Sequence, residues 1–588
     1  MLSRTRKVYL AALLCAAAIG GVWAQGVVRL GAEFRVNTYT TNYQAAPRIS
    51  SDGSGNFVVV WQSKNQDHSL LGVYGQRYSS AGAALGGEFK VNTYTTSYQS
   101  YPAIAEDSAG NFVVAWTTYG QTGVYGYEDI FGQKYTSAGA ASGSEFRINT
   151  YTTDTAQQFP RVARNGTGFV VVWQSDLQDG GGNGIYGQRY TSAGATSGSE
   201  FRANTYTTNE QAYPDVGLDG TGNFVVTWQS LTQDAGTSGV FAQRYNNLGT
   251  KVGSEFQVNT TTTGTQDAPA IAVDSGGTFV VVWESPQEGN GLGIVAQRYS
   301  NAGTKLGAEL AVNTYTTSDQ SLPAVASDGL GNFVAVWQSA GQDGSNLGIF
   351  GQRYTSTGAK RGVEFPVNTF TSGVQSNPAV TMDPAGNFVV TWQSFQDGST
   401  TGVYAQRFSN QDCQNLGGSG PSNASACTGG TASFSAVGSG SSVTYQWRRN
   451  GLPLTDGGSF SGTTTPNLTV NPVAFANTGS YTCLIRDACA PQGSLSLGPA
   501  TLTLIDPGTV PGLLVTRTNG GADLHLGWGA GANATGYTVF QDASPSGTFA
   551  TVTGSASSGA IGLTFPMPAG NVFYLVAATN ACGMGPKH

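Results

Sequence analysis

Apolar and polar positions alternate in short runs along most of this chain, and the runs return in the same order. At 332–338, Phe333, Ala335 and Trp337 fall on one side of an extended strand and Val334 and Val336 on the other, so both faces are apolar. A short run opened by Pro323 precedes it, a third run at 349–354 reads Ile-Phe-Gly-Gln-Arg-Tyr, and a fourth at 364–369 reads Glu-Phe-Pro-Val-Asn-Thr. The tryptophans Trp61, Trp116, Trp173, Trp228, Trp283, Trp337 and Trp392, spaced 54 to 57 residues apart, mark seven copies of this unit. No helical period survives beyond residue 25.

Seven units of four strands predict an all-β chain that begins with a seven-bladed β-propeller over 25–410. Residues that a sheet centre tolerates poorly set the strand order. Pro366, Arg35, Lys90, Arg147 and Arg202 put the fourth run at the outer edge, and the run after each repeat proline (Pro47, Pro102, Pro160, Pro214, Pro269, Pro323, Pro378) goes innermost. The order Pro-x-(Ile/Val)-Ala, Asp-x-x-Gly-Asn-Phe, Gln-Arg-Tyr resembles the NHL class of propeller repeats and tandem repeats of secreted bacterial proteins, over residues 31 to 409. That resemblance implies a fold and no activity. The array opens on an outer-type strand at 33–37 and ends on a third-strand run at 402–407, so joining the two would close the ring. Third-strand cations such as Arg77 and Arg353, each followed by a glutamate such as Glu88 or Glu364, predict ion pairs across that hairpin, with Glu33 meeting Arg407.

Two further modules follow. Over 411–506, Trp447, then Tyr481 two residues before Cys483, resemble an immunoglobulin-like sandwich with its tyrosine corner. The strand-B position near Phe434 holds no cysteine, and by resemblance to bacterial members of that class Cys427 and Cys489 are the implied disulfide, with Cys413 and Cys483 unassigned. Over 509–588, Trp528, Tyr537 and Tyr574 resemble a fibronectin type III domain, which implies a spacer or adhesion module. The expected architecture is thus a propeller followed by two β-sandwich modules. Cys582 is expected to be free or to pair between chains.

Composition narrows the chemistry. Residues 1–24 carry a basic start, an apolar run and small residues before Ala24, the pattern of a signal peptide, so a secreted or cell-surface protein is expected with no membrane insertion after cleavage. The formal charge is −7, and loss of Arg4, Arg6 and Lys7 with the leader takes it to −10, which speaks against a nucleic-acid partner. Only 11% of residues are charged and glycine numbers 83, as short strands and tight turns require.

Two loop sets are predicted to share one face. One carries Gln44 and its counterparts after the Asn-Thr-Tyr-Thr-Thr runs, and the other carries Gln-Asp pairs, among them Gln66-Asp67, Gln178-Asp179 and Gln342-Asp343. The second copy departs from this, with a longer loop bearing Tyr125, Tyr127, Glu128 and Asp129. Amides, carboxylates and tyrosine rings suit a sugar-binding surface, so an extracellular glycan or a surface protein is the expected partner. The plainer reading is that these amides satisfy loop backbone in every copy. The Asp-Gly turns, such as 328–332, resemble integrin-type calcium loops only faintly and read as tight turns, with no metal expected. Three histidines, no nucleophile elbow, no phosphate loop and no cofactor motif leave no catalytic constellation, so a non-enzyme is expected. A binding or adhesion protein, a structural matrix or surface-layer component, and an extracellular glycoside hydrolase stand as the three readings.

Overall fold

The computed structural model describes residues 26–587, apart from 124–126, 152–154, 235, 289–290, 397–399, 413–415, 441–442, 488 and 491–493. The expected signal peptide, Tyr125 and Cys413 therefore lie outside the described residues. Strands and turns make up the described chain with only three short 3-10 turns and no α-helix among them. It divides into two compact units, one running to Asp412 and the other essentially 413–588.

In the first unit a sheet of four antiparallel strands recurs, its members taken in chain order. Gln44–Ser51, Phe57–Lys64, Leu71–Tyr78 and Phe89–Lys90 form one such sheet, and Gln320–Ser327, Phe333–Ala340, Leu347–Tyr354 and Lys360–Pro366 another. The first strands of successive sheets lie against one another, and Gln375–Met382 returns to Gln44–Ser51, so these strands ring an axis. The short fourth strands lie outermost, where proline and basic residues were expected to place them. The last sheet takes its fourth strand from the start of the chain: Phe34–Arg35 pairs antiparallel with Gly402–Asp412, Phe34 opposite Ala405.

Both faces of each second strand are buried, as the double apolar alternation requires. Val58 and Val60 pack with Val114 and Trp116 of the next sheet, while Val59 and Trp61 pack with Val389 and Val403 of the last. Each fully buried side chain of this size contributes roughly 1.5–3 kcal/mol. In the turns, Asp328 accepts N–H bonds from Leu330 and Asn332, both at 2.9 Å, and Gly331 takes φ +81°.

Among the described residues the expected cation–glutamate pairs across the third-to-fourth-strand hairpin are replaced by bonds to the flanking sheets. Arg77 reaches instead to the next sheet and donates to the carbonyls of Ser137 and Ala138 at 2.7 and 2.6 Å. Arg407 does the same to the Ala81 carbonyl at 2.6 Å, across the closure. The glutamates point the other way. Glu88 accepts from the N–H and hydroxyl of Thr38 in the preceding sheet, and Glu33 from those of Thr369. Hairpin neighbours in sequence are thus tied to the flanking sheets rather than to each other, because a carbonyl-lined turn on one side and a bare Thr N–H on the other each need a partner.

In the second unit, a sheet containing Val443–Arg449, Gly479–Asp487 and Ser494–Leu504 and a sheet of Ala432–Ser435, Asn467–Val470 and Phe460–Ser461 share one core around Phe434, Trp447, Leu468 and Tyr481. The Tyr481 hydroxyl donates to the Asn477 carbonyl at 2.5 Å. Two more sheets, built on Asp523–Gly527 and Gly536–Asp542, enclose Leu526, Trp528, Tyr537 and Val576. The expected Cys427–Cys489 disulfide is corrected by the structure: Cys427 bonds Cys582, with Cα atoms 5.3 Å apart and a sequence separation of 155. Cys427 follows the strand Ala424–Ala426, which lies parallel beside the end of Ser494–Leu504. That brings it beside the segment at Ile505, to whose carbonyl the Asn580 amide donates from the turn that holds Cys582. Cys582 is accordingly not free, while Cys483 is a free, buried thiol facing Trp447 across the ladder. Closing so long a loop contributes roughly 5 kcal/mol by chain entropy.

Candidate binding site at the axis

The two loop sets do share one face. Leu71 bridges to Tyr98 and Leu347 to Val374, so the loop between second and third strands touches the loop entering the next first strand. Most of the amides singled out from sequence are spent inside these loops. Gln44 is buried and donates to the Thr41 carbonyl, while Gln66 donates to Glu88, Gln178 to Glu200 at 2.7 Å and Gln342 to Glu364 at 2.5 Å. Asp67 accepts from the Ser69 N–H, Asp179 from the Asn204 amide and Asp343 from the Ser345 N–H. In the second copy, Asp129 accepts from Thr122 and Asn149. Tyr127 is exposed and Glu128 accepts from Gln158, next to Phe159.

Phe159 belongs to a position that sequence reading passed over. The residue before each repeat proline is Ala46, Tyr101, Phe159, Tyr213, Ala268, Leu322 or Asn377, and all seven hold φ between +48° and +53°. A left-handed backbone costs an L-residue roughly 1–2 kcal/mol. The strand is irregular at that point in every sheet, with a register shift between Ala45 and Arg48 and its counterparts. A bond across sheets holds the strained N–H: Tyr101 donates to Gln62, Tyr213 to Gln174, Asn377 to Gln338 and Ala46 to Gln393, at 3.1 to 3.3 Å. Those glutamines follow the repeat tryptophans, which gives the Trp-Gln pair a reason beyond packing. The bulge stands at the mouth of the axis, where Tyr213, Ala268, Leu322 and Asn377 line the cavity. Tyr101, Phe159 and Tyr213 come together there, with ring centroids 4.5 and 5.3 Å apart, and Tyr101 and Tyr213 are 42% and 47% exposed. The arc covers three successive sheets and no more.

Behind the mouth lies a cavity of about 660 Å³, lined by the first strands. The residue after each repeat proline faces it: Arg48, Arg161 and Asp215 in three copies, and Ala103, Ala270, Ala324 and Ala379 in the others. The Arg161 Nε stands 4.0 Å from Asp215 Oδ1, with side chains 25% and 22% exposed. Asp215 also accepts from the N–H groups of Val216 and Ile271, both at 2.9 Å. Arg48 and Arg161 donate to the carbonyls of Pro47 and Pro160, at 2.8 and 3.0 Å. Burial, then repulsion from Arg161, pushes the Arg48 guanidinium down to about 9, with Asp215 opposing, so it stays charged at neutral pH. Burial raises Asp215 above the usual carboxylate range although Arg161 and the two N–H groups pull it down. The departure from alanine at this one repeat position was visible in the sequence.

No family model and no curated protein matches the chain. Among solved structures it is similar to the β-propeller domain of the Trilobed protease from Pyrococcus furiosus, at 8% identity over 64% of this chain and 96% of that one, TM-score 0.38. It is also similar to the endo-arabinase from Bacteroides thetaiotaomicron, at 12% identity over 53% and 94%, TM-score 0.31. A third is NanB sialidase from Streptococcus pneumoniae, at 9% identity over 64% and 70%, TM-score 0.35. The expectation of a non-enzyme is corrected by this finding: enzymes stand among the structural neighbours. At these identities their activities remain their own.

Proposed function

We propose that this is an extracellular binding protein whose ligand, a carbohydrate, rests on the axis mouth of a seven-bladed β-propeller. The arc of Tyr101, Phe159 and Tyr213 carries the reading, because solvent-open aromatic faces at a concave polar rim match the apolar faces of sugar rings. Tyr127, beside Glu128 and its bond to Gln158, extends that surface from the second copy. The two paired-sheet cores of the second unit fit immunoglobulin-like and fibronectin type III-like sandwiches acting as spacers, with Trp447 and the Tyr481 to Asn477 bond in support of the first. The Cys427–Cys582 disulfide fits an oxidising compartment outside the cell. Among the described residues no helix is long and apolar enough to cross a membrane.

The test is a glycan array probed with the full chain and with the triple variant Tyr101→Ala, Phe159→Ala, Tyr213→Ala. The wild type should bind a defined subset of glycans and the triple variant should lose at least about tenfold in affinity at an unchanged melting temperature, since stacking on exposed rings contributes roughly 0.5–1.5 kcal/mol per pair. Equal binding by the two proteins, or binding to no glycan, would overturn the reading.

A further inference from the structure

We propose that Arg48, Arg161 and Asp215 form an anion site inside the axial cavity that takes the carboxylate of an acidic sugar, an inference that rests on the carbohydrate reading and names the substrate class for it. The fold does not require these charges. Four of the seven copies place alanine at the same position and their sheets close in the same way. Burying two cations beside one anion disfavours the folded state unless partners compensate them. Compensation is incomplete: Arg161 lies 4.0 Å from Asp215, beyond hydrogen-bond reach, and both Asp215 oxygens already accept backbone N–H groups. Each guanidinium carries five N–H donors, and the bonds to Pro47 and Pro160 leave most of them turned to the cavity.

At the position after the repeat proline two guanidiniums thus face one carboxylate, and an incoming carboxylate can meet the second with the paired geometry that guanidinium favours. Asp267 also lines the cavity; its carboxylate accepts the Ser238 hydroxyl at 2.5 Å and, among the described residues, makes no ion pair with either guanidinium. Tyr213 lines the same cavity two residues before Asp215, so a ring resting on its face could direct a carboxylate inward. Neutral sugars would gain the aromatic contact alone.

The experiment measures binding of the full chain to uronate-containing oligosaccharides and to the same compounds with their carboxyl groups reduced to alcohols. The acidic form should bind about tenfold tighter, near 1.4 kcal/mol. The double variant Arg48→Gln, Arg161→Gln should lose that preference while keeping its binding to the neutral form. Asp215→Asn should raise affinity for the acidic form severalfold, a gain that a merely structural aspartate would not produce. Equal affinity for both forms in the wild type, or a preference that survives the double variant, overturns the anion site and leaves the carbohydrate reading standing. Binding to neither form overturns both. If the double variant fails to fold, the wild-type ratio and the Asp215→Asn arm decide.

Discussion

At the outer edge of the ring the same kinds of bond recur from copy to copy, with the third-strand Arg353 turned instead to a carboxylate, Asp412 at 2.7 Å, whereas at the axis the residue after the repeat proline changes from arginine to alanine to aspartate. Glu88, Glu145, Glu200, Glu255, Glu309, Glu364 and Glu33 each accept the N–H of a threonine one sheet back. Arg77, Lys134, Arg189, Arg244, Arg298 and Arg407 each donate to a turn carbonyl one sheet forward. The edge is therefore under a constraint of assembly that recurs around the ring. The axis answers to no such constraint, since alanine suffices there, and its departures are free to serve a ligand. Repetition marks what holds the ring, and the break in repetition marks where to look for function.

Removing one repeat of the edge should have the largest effect. A chain lacking residues 25–40 loses the burial of Val36, roughly 1.5–3 kcal/mol, and the partial burial of Phe34, with the Val36 N–H bond to the Val403 carbonyl and the Glu33 bonds to Thr369. Thermal unfolding followed by circular dichroism should show a marked fall in Tm, and a chain that melts like the full one would mean that closure adds nothing. A second break falls near the axis, where Arg164 makes a 2.8 Å ion pair with Asp107, the side chains only 5% and 7% exposed. Arg164→Met should cost about 3–5 kcal/mol because it strands a buried carboxylate. Burial pushes Asp107 up, yet the bonds from Arg164 and Asn111 hold it below its usual range. Its contribution is thus present above about pH 4 and lost as pH falls through its lowered value. Urea titration at pH 7 and pH 3 should show the cost of the variant shrinking at the lower pH.

Glu106, at the end of a first strand, has a buried Oε2 without a hydrogen-bond partner. Burial first, then repulsion from Asp52 and Asp107, raises its pKa well above the ordinary value, against the pull of Arg77. The folded chain therefore holds a proton that the unfolded chain releases, and stability falls as pH rises from about 4.5 through the raised value. Glu106→Gln should stabilise the protein at neutral pH by about 1 kcal/mol and flatten that slope, measured as Tm between pH 5 and pH 8. An unchanged slope would show that another group carries it.

Much of the ring was legible because its signals are local and repeated. Alternation at 332–338 announced a strand buried on both faces, and Pro366 with Arg35 announced an outer edge. The ion pairs were misjudged because closeness in a hairpin says nothing about the flanking sheet, where Arg77 and Glu88 find their partners. The disulfide was misjudged because Cys582 lies 155 residues from Cys427 and no local pattern links them. The axial residues were overlooked for a different reason. Reading copies for what they share hides a position such as 48, 161 or 215, whose meaning lies in the difference.

The strand that shuts the ring, Glu-Phe-Arg-Val-Asn at 33–37, has close counterparts at 88–92 and 145–149 and at every other outer edge. Its Phe34 opposite Ala405 repeats the contact of Phe89 with Gly75. The Asn37 side chain accepts the Val403 N–H as Asn92 accepts that of Val73. Nothing in this seam distinguishes the chain's own strand from the same strand of a second molecule. The preference for self-closure is then a matter of effective concentration: dilution keeps rings single, and crowding of copies favours exchange of the first strand between neighbours, which would link rings without creating a single new contact.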